Sequence, residues 1–165
     1  MPHFDAIIEQ KNRIKERLLK SQSVVDLLLN TGDNVAEFEH YRTGSKSPAA
    51  ELIKKHFYVP DTTQQDKNFI TMRSRVIFAD TDAIKEVSIV LYVICNKDQI
   101  DLIQGSRSDL IANEVDQLLN NGDDPPFGLG GIKIGVAEEV NFAEGFTGWQ
   151  IPFITHEWNR KAELL

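Results

Sequence analysis

Apolar residues return every three or four positions near the start of the chain: Phe4, Ile7, Ile8, Ile14, Leu18 and Leu19, with Glu9, Lys11, Arg13, Lys15, Glu16 and Arg17 between them. That spacing predicts an amphipathic helix over residues 4–20. Ser23 and Asp26 are spaced as a capping box for a short second helix over 24–29, which Asn30-Thr31-Gly32 stops. Residues 32–47 show no sustained period and read as loop. Pro48 suits the first turn of a third short helix over 49–56, because the N–H it lacks has no partner there. Tyr58-Val59-Pro60-Asp61-Thr62 ends that segment, and residues 62–68 are polar.

Beyond this point the period changes to two. Ile70, Met72, Val76 and Phe78 alternate with Thr71, Arg73 and Arg75, the pattern of a half-buried strand. After the turn Ala79-Asp80-Thr81-Asp82-Ala83, residues 84–96 carry apolar side chains on both faces: Val87, Ile89, Leu91, Val93 and Cys95 on one, Val90, Tyr92 and Ile94 on the other. This predicts a central strand covered on two sides, hairpin-paired with its predecessor. Ser106 and Asp109 cap a further helix whose stripe is Ile111, Val115, Leu118 and Leu119, ending at Asn120-Asn121-Gly122. Ile132, Ile134 and Val136 alternate in a third strand, and residues 149–158 form a fourth, in which Pro152 predicts an edge position or a bulge.

Together these elements predict an α+β fold: an antiparallel sheet built from two hairpins, with helices packed on one face. The expected organisation is one domain over 1–165, with N-terminal helices (1–31), an irregular arm or loop region (32–68) and a sheet-plus-helix core (69–160). The length of 165 residues and the 41% hydrophobic and 26% charged content suit such a domain. No apolar run reaches the roughly 18–20 residues needed to cross a bilayer, and the N-terminus lacks the basic-then-apolar pattern of a secretory signal. A single cysteine, Cys95, cannot form an internal disulfide, so a reducing compartment is expected. The net charge of −7 disfavours tight binding to nucleic-acid backbone, yet suits a wall that DNA slides past.

No constellation points to chemistry. His3, His40, His56 and His156 lie far apart, without a metal-ligand spacing. Cys95 sits in an apolar strand, where a thiol is packing material. Asp80 and Asp82 lack the further oxygen ligands of a hard-cation loop. Gly128-x-Gly130-Gly131 precedes a strand, whereas a phosphate cradle follows a strand and opens a helix. The expectation is therefore no catalytic residue, no cofactor and no metal. Arg73, Arg75 and Lys67 make a small basic stripe, read as salt-bridging to acids of a neighbour or of the same fold. Tyr58, Phe127, Phe146 and Trp158 fall in loops or at strand ends and are candidate subunit-interface anchors.

The layout resembles the tail terminator, or tail completion, proteins of tailed bacteriophages. The resemblance rests on Ile14-x-x-x-Leu18-Leu19 followed by Val24-Val25-x-Leu27-Leu28, and on Tyr58-Val59-Pro60-Asp61-Thr62 ahead of a strand. It rests further on the strand from Val87 to Cys95, on Ser108-Asp109-Leu110-Ile111-Ala112-Asn113-Glu114-Val115-Asp116-Gln117-Leu118-Leu119, and on Phe146-Thr147-Gly148-Trp149-Gln150-Ile151-Pro152-Phe153. It implies a non-enzymatic virion protein of the neck, made in the host cytoplasm. Such a protein forms a ring, usually a hexamer, that terminates the tail tube and joins it to the head connector. The implied partners are other copies of the chain, the tail tube protein and the head-closure or connector protein; genomic DNA passes through without specific binding, and no membrane is involved. The alternatives are a head-closure or tail-adaptor subunit, a small enzyme built on scattered residues such as Asp80, Arg73 and His156, and a peptide-binding adaptor using the strand near Pro152.

Overall fold

The structure, a computed structural model, describes residues 4–60, 66–78, 84–120 and 132–158. Helix α1 (Asp5–Lys20) buries Ile7, Gln10, Ile14, Leu18 and Leu19, and α2 (Gln22–Leu29) buries Val24, Val25, Leu27 and Leu28. One extended residue, Ser21, makes the corner between them. Its amide donates to the Leu18 carbonyl at 3.2 Å, and its hydroxyl accepts from the Val24 amide at 3.3 Å. The cap is therefore Ser21 rather than Ser23, because the chain leaves helical geometry at Ser21 (ψ 116°) and re-enters it at once.

The expected helix over 49–56 reduces to one 3₁₀ turn, Pro48–Glu51, capped by the Ser47 hydroxyl. The next residues form a strand, β1 (Ile53–Lys54), which runs parallel to β2 (Phe69–Phe78) with Ile53 opposite Ile70. The apolar pair Leu52-Ile53 is too short for a helical stripe, and β-branched Ile53, wholly buried, packs better on a sheet. This corrects the sequence reading twice: the irregular arm contributes to the sheet, and the sheet is mixed rather than antiparallel throughout.

The centre of the sheet is β3 (Ile84–Asn96), antiparallel to β2 on one side and to β8 (Phe146–Trp158) on the other along its whole length. The central, two-faced strand read from residues 84–96 is thus present. The other flank of β8 carries β6 (Lys133–Ile134) and β7 (Glu138–Ala143), giving a six-stranded sheet of order β1-β2-β3-β8-β6 with β7 also on β8. The strand expected from Ile132 to Val136 is only β6; the outer arm of the second hairpin is β7. Its sequence, Glu138-Glu139-Val140-Asn141-Phe142-Ala143, alternates over only two apolar residues, Val140 and Phe142, too short a signal to read as a strand, and charge on an outermost strand discourages stray pairing.

Pro152 lies in β8, an interior strand, and not at an edge. The Gly135 amide donates to the Pro152 carbonyl at 2.7 Å, so the main chain of Pro152 faces the flank of β6 and β7. A residue's N–H and C=O point to the same side of a strand. The donor that proline lacks therefore faces the break between Ile134 and Glu138, where one neighbour has ended and the next has not begun.

A small hairpin, β4 (Asp101–Leu102) with β5 (Gly105–Ser106), leads into α3 (Arg107–Asn120), the helix expected there. α3 packs on β3 and β8 and against α1 and α2, so the helices share one face of the sheet. Alternation and register put Met72, Leu91, Ile89, Ile151 and Phe153 on that face, all buried. The opposite face carries an aromatic row, Phe57 to Tyr92 at 4.8 Å between ring centres and Tyr92 to Phe142 at 5.9 Å. Among the described residues no helix is long and apolar enough to cross a membrane.

Candidate functional site

Of the four candidate anchors, Tyr58 is half-buried at the β1–β2 edge. Its ring lies 5.4 Å from Phe69 and 6.4 Å from His56, with the Lys54 ammonium 5.5 Å above it. Phe57 and Val59 on either side are 46% and 38% exposed, so the more accessible apolar surface here belongs to the neighbours of Tyr58. Phe146 is wholly buried, which removes it as a surface anchor. The sequence reading began the strand at Trp149; β8 begins at Phe146, directly after the turn at Gly145 (φ +88°), and pairs Phe146 with both Asn96 and Ala143. Its ring is thereby drawn inside the sheet's packing. Phe127 and the side chain of Trp158 lie outside the described residues, as do His3, Asp80, Asp82 and the Gly128–Gly131 loop.

Among the described residues, Cys95, Asp26 and His40 are engaged in packing and hydrogen bonds that hold the fold. Burial pushes the Cys95 thiol up to about 12, and its side chain is fully enclosed. At pH 8 the thiolate would then be about one part in ten thousand. A disulfide-type thiol reagent is expected to label Cys95 at least about a thousandfold more slowly in the native protein than in denaturant, read from the release of its chromophore. Labelling as fast in the native state would contradict this placement.

His40 contacts the carboxylate of Asp26 at 2.7 Å. Asp26 is 5% exposed and also accepts from Gln22 Nε2 at 2.8 Å and from the Tyr41 amide at 3.0 Å. Beside it, Asn30 Nδ2 donates to the Glu39 carbonyl at 2.9 Å, and its Oδ1 accepts from the Glu39 amide at 3.0 Å. These contacts pin residues 39–41 to α2, so the His40–Asp26 pair reads as a clamp. His156 stands 3.9 Å from Glu86 on neighbouring strands. Among the described residues no group of three or more His, Cys, Asp or Glu could hold a metal ion.

Among the described residues, two apolar recesses border α3. One, of about 210 Å³, lies between α2 and α3 and is lined by Leu27, Val35, Phe38 and Leu110 with Asp26 and Glu114. The other, of about 220 Å³, lies where α3 meets β6 and β8, with Ile134, Ala137, Trp149 and Ile151 on its floor. There Trp149 Nε1 donates to Asp109 Oδ1 at 2.7 Å, so the indole is held by the helix. Neither recess brings together a nucleophile, a base and an oxyanion donor.

Most of the exposed large apolar residues follow strand ends or edges instead: Phe57 and Val59 after β1, and Ile134 and Val136 at 37% and 77% exposure along the flank of β6. Sequence reasoning missed this pair of edges, because their neighbours in the sheet depend on a register that no local pattern encodes. The opposed charges of the Arg73-x-Arg75 and Glu138-Glu139 pairs were the available signal.

A protein-family model described as YomW matches residues 21–155. No curated protein and no solved structure matches the chain significantly.

Proposed function

We propose that this chain, which belongs to the YomW family by its match over residues 21–155, is a structural virion protein of a tailed bacteriophage. Its role in this reading is that of a neck subunit. It forms a ring that terminates the tail tube and joins it to the head connector. The family match, whose name is of the kind given to phage genes and which spans most of the chain, supports the phage part of the reading.

Three further features support it. The buried thiol of Cys95 and the buried carboxylate of Asp26 are engaged in holding the fold. The rigid centre formed by β3 and β8 suits a subunit that must keep its shape under load. The net charge of −7 suits a channel through which DNA passes without adhering.

The test is made in cells producing the phage. An affinity-tagged chain is expected to co-purify with tail tubes, and particles made without it are expected to be unjoined heads and tails. Joined, infectious particles lacking the protein would overturn the assignment.

A further inference from the structure

We propose that copies of this chain join head-to-tail through their sheets, the open edge of β2 in one subunit pairing with the open edge of β7 in the next. The inference rests on the ring reading above and names the surfaces that would build the ring.

Among the described residues most of the β2 edge and the outer edge of β7 carry no strand. β1 covers only Ile70 and Thr71 of β2. From Arg73 to Val76 no strand among the described residues flanks the outer side of β2. The Ile70 amide donates outward to Leu52 at 2.9 Å, and alternation sends the main-chain groups of Ser74 and Val76 to that same outer side. At the other end of the sheet, β7 pairs with β8 alone among the described residues.

The charges on these edges are opposite. β2 exposes Arg73 and Arg75, and residues 69–78 contain no acid. β7 exposes Glu138 and Glu139, and residues 134–146 contain no Lys or Arg. Among the described residues none of the four takes part in an ion pair. Two β2 edges would set Arg against Arg, and two β7 edges Glu against Glu; only the β2–β7 combination places opposite charges across the new ladder. A contact between two different patches is heterologous, the kind that closes into a ring. Each edge also has uncovered apolar surface beside it, Phe57 and Val59 at one and Ile134 and Val136 at the other, which the neighbour would bury.

The experiment uses two charge-reversed proteins, Arg73→Glu with Arg75→Glu, and Glu138→Arg with Glu139→Arg. Each alone presents two edges of the same sign and is expected to run as a monomer by light scattering, or to need at least about tenfold more protein to assemble. An equimolar mixture restores opposite charges at every contact of an alternating ring and is expected to regain the wild-type assembly mass. If wild type assembles and the reversed proteins assemble equally well, the edge pairing is overturned while the ring reading stands. If wild type stays monomeric at all concentrations, both fall. Circular dichroism reports whether the reversed proteins keep their fold. Should they lose it, the wild type is taken from about 0.05 to 1 M salt, where screening shortens to about 3 Å. Loss of assembled mass on that titration is expected, and an unchanged mass overturns the pairing.

Discussion

Arg107→Met is expected to destabilise the chain by about 3 kcal/mol, the loss of several charge-assisted hydrogen bonds less the gain from a well-fitting apolar replacement. Arg107 is the first residue of α3 and is wholly buried. Nη1 donates to the Leu27 carbonyl at 2.5 Å, Nη2 to Gly32 at 3.0 Å and Nε to Gln99 at 2.9 Å, with the guanidinium 5.5 Å from the Phe38 ring. Leu27 lies in the last turn of α2, where carbonyls have no helical partner and the helix dipole is negative. The side chain thus caps one helix from the start of another and ties both to the turn before β4. Burial lowers its pKa, but guanidinium titrates so far above neutrality that the charge persists. Methionine fills a similar length and leaves the carbonyls unpaired, so the change isolates the polar loss from a cavity. Lysine at this position should recover only part of the stability, because a single ammonium cannot reach the three carbonyls in a fork. Urea unfolding measures the effect; a loss under about 1 kcal/mol would show that water replaces the arginine cheaply.

Gly148→Ala is expected to cost about 3 kcal/mol or to prevent folding, because there is no room for the added methyl group. A Cβ at Gly148 would stand 1.7 Å from the Val93 carbonyl oxygen and 2.8 Å from its carbon, with Phe142 Cε2 at 3.4 Å. The two nearest are backbone atoms of β3, so relief requires parting β3 from β8, the longest pairing in the sheet. Gly32→Ala is the control. A Cβ there meets nothing within 4 Å, and the expected change is within about 0.5 kcal/mol. Equal thermal melting of the two variants would mean that β8 slides past β3 without penalty.

The contrast between these positions and the elements read from sequence has a physical basis. α1 and α3 were legible because each buries one stripe at helical spacing, as Ile14 and Leu18 or Ile111 and Val115 do. β3 was legible because apolar residues on both faces leave few alternatives to a central strand. β1 and β7 were not. The first is two residues long, and its place depends on a contact with Ile70 far along the chain. The second opens on two adjacent glutamates and alternates over only Val140 and Phe142, so its sequence reads like a loop. Pro152 was misplaced for a related reason. A proline is excluded from an interior strand only where its missing donor would meet a partner, and here that side faces a gap between two strands.

The site was less legible than the fold. An aromatic such as Phe146 next to a glycine turn looks exposed when the strand's start is set three residues late, and the register with Asn96 is what buries it. Arg107 gave no signal, since its partners are backbone carbonyls spread over residues 27–99. The opposite charges of Arg73-Arg75 and Glu138-Glu139 were visible in the sequence, but only the strand order reveals that they sit at the two ends of one sheet.

Native mass spectrometry of the wild-type chain at micromolar concentration tests the proposed ring most directly. The predicted result is one closed species at about six times the 18.7 kDa chain mass, with no ladder of open intermediates, since a ring closed by one heterologous contact per subunit leaves no free edge. A monomer at every concentration, or a twofold dimer in which like surfaces meet, would contradict it.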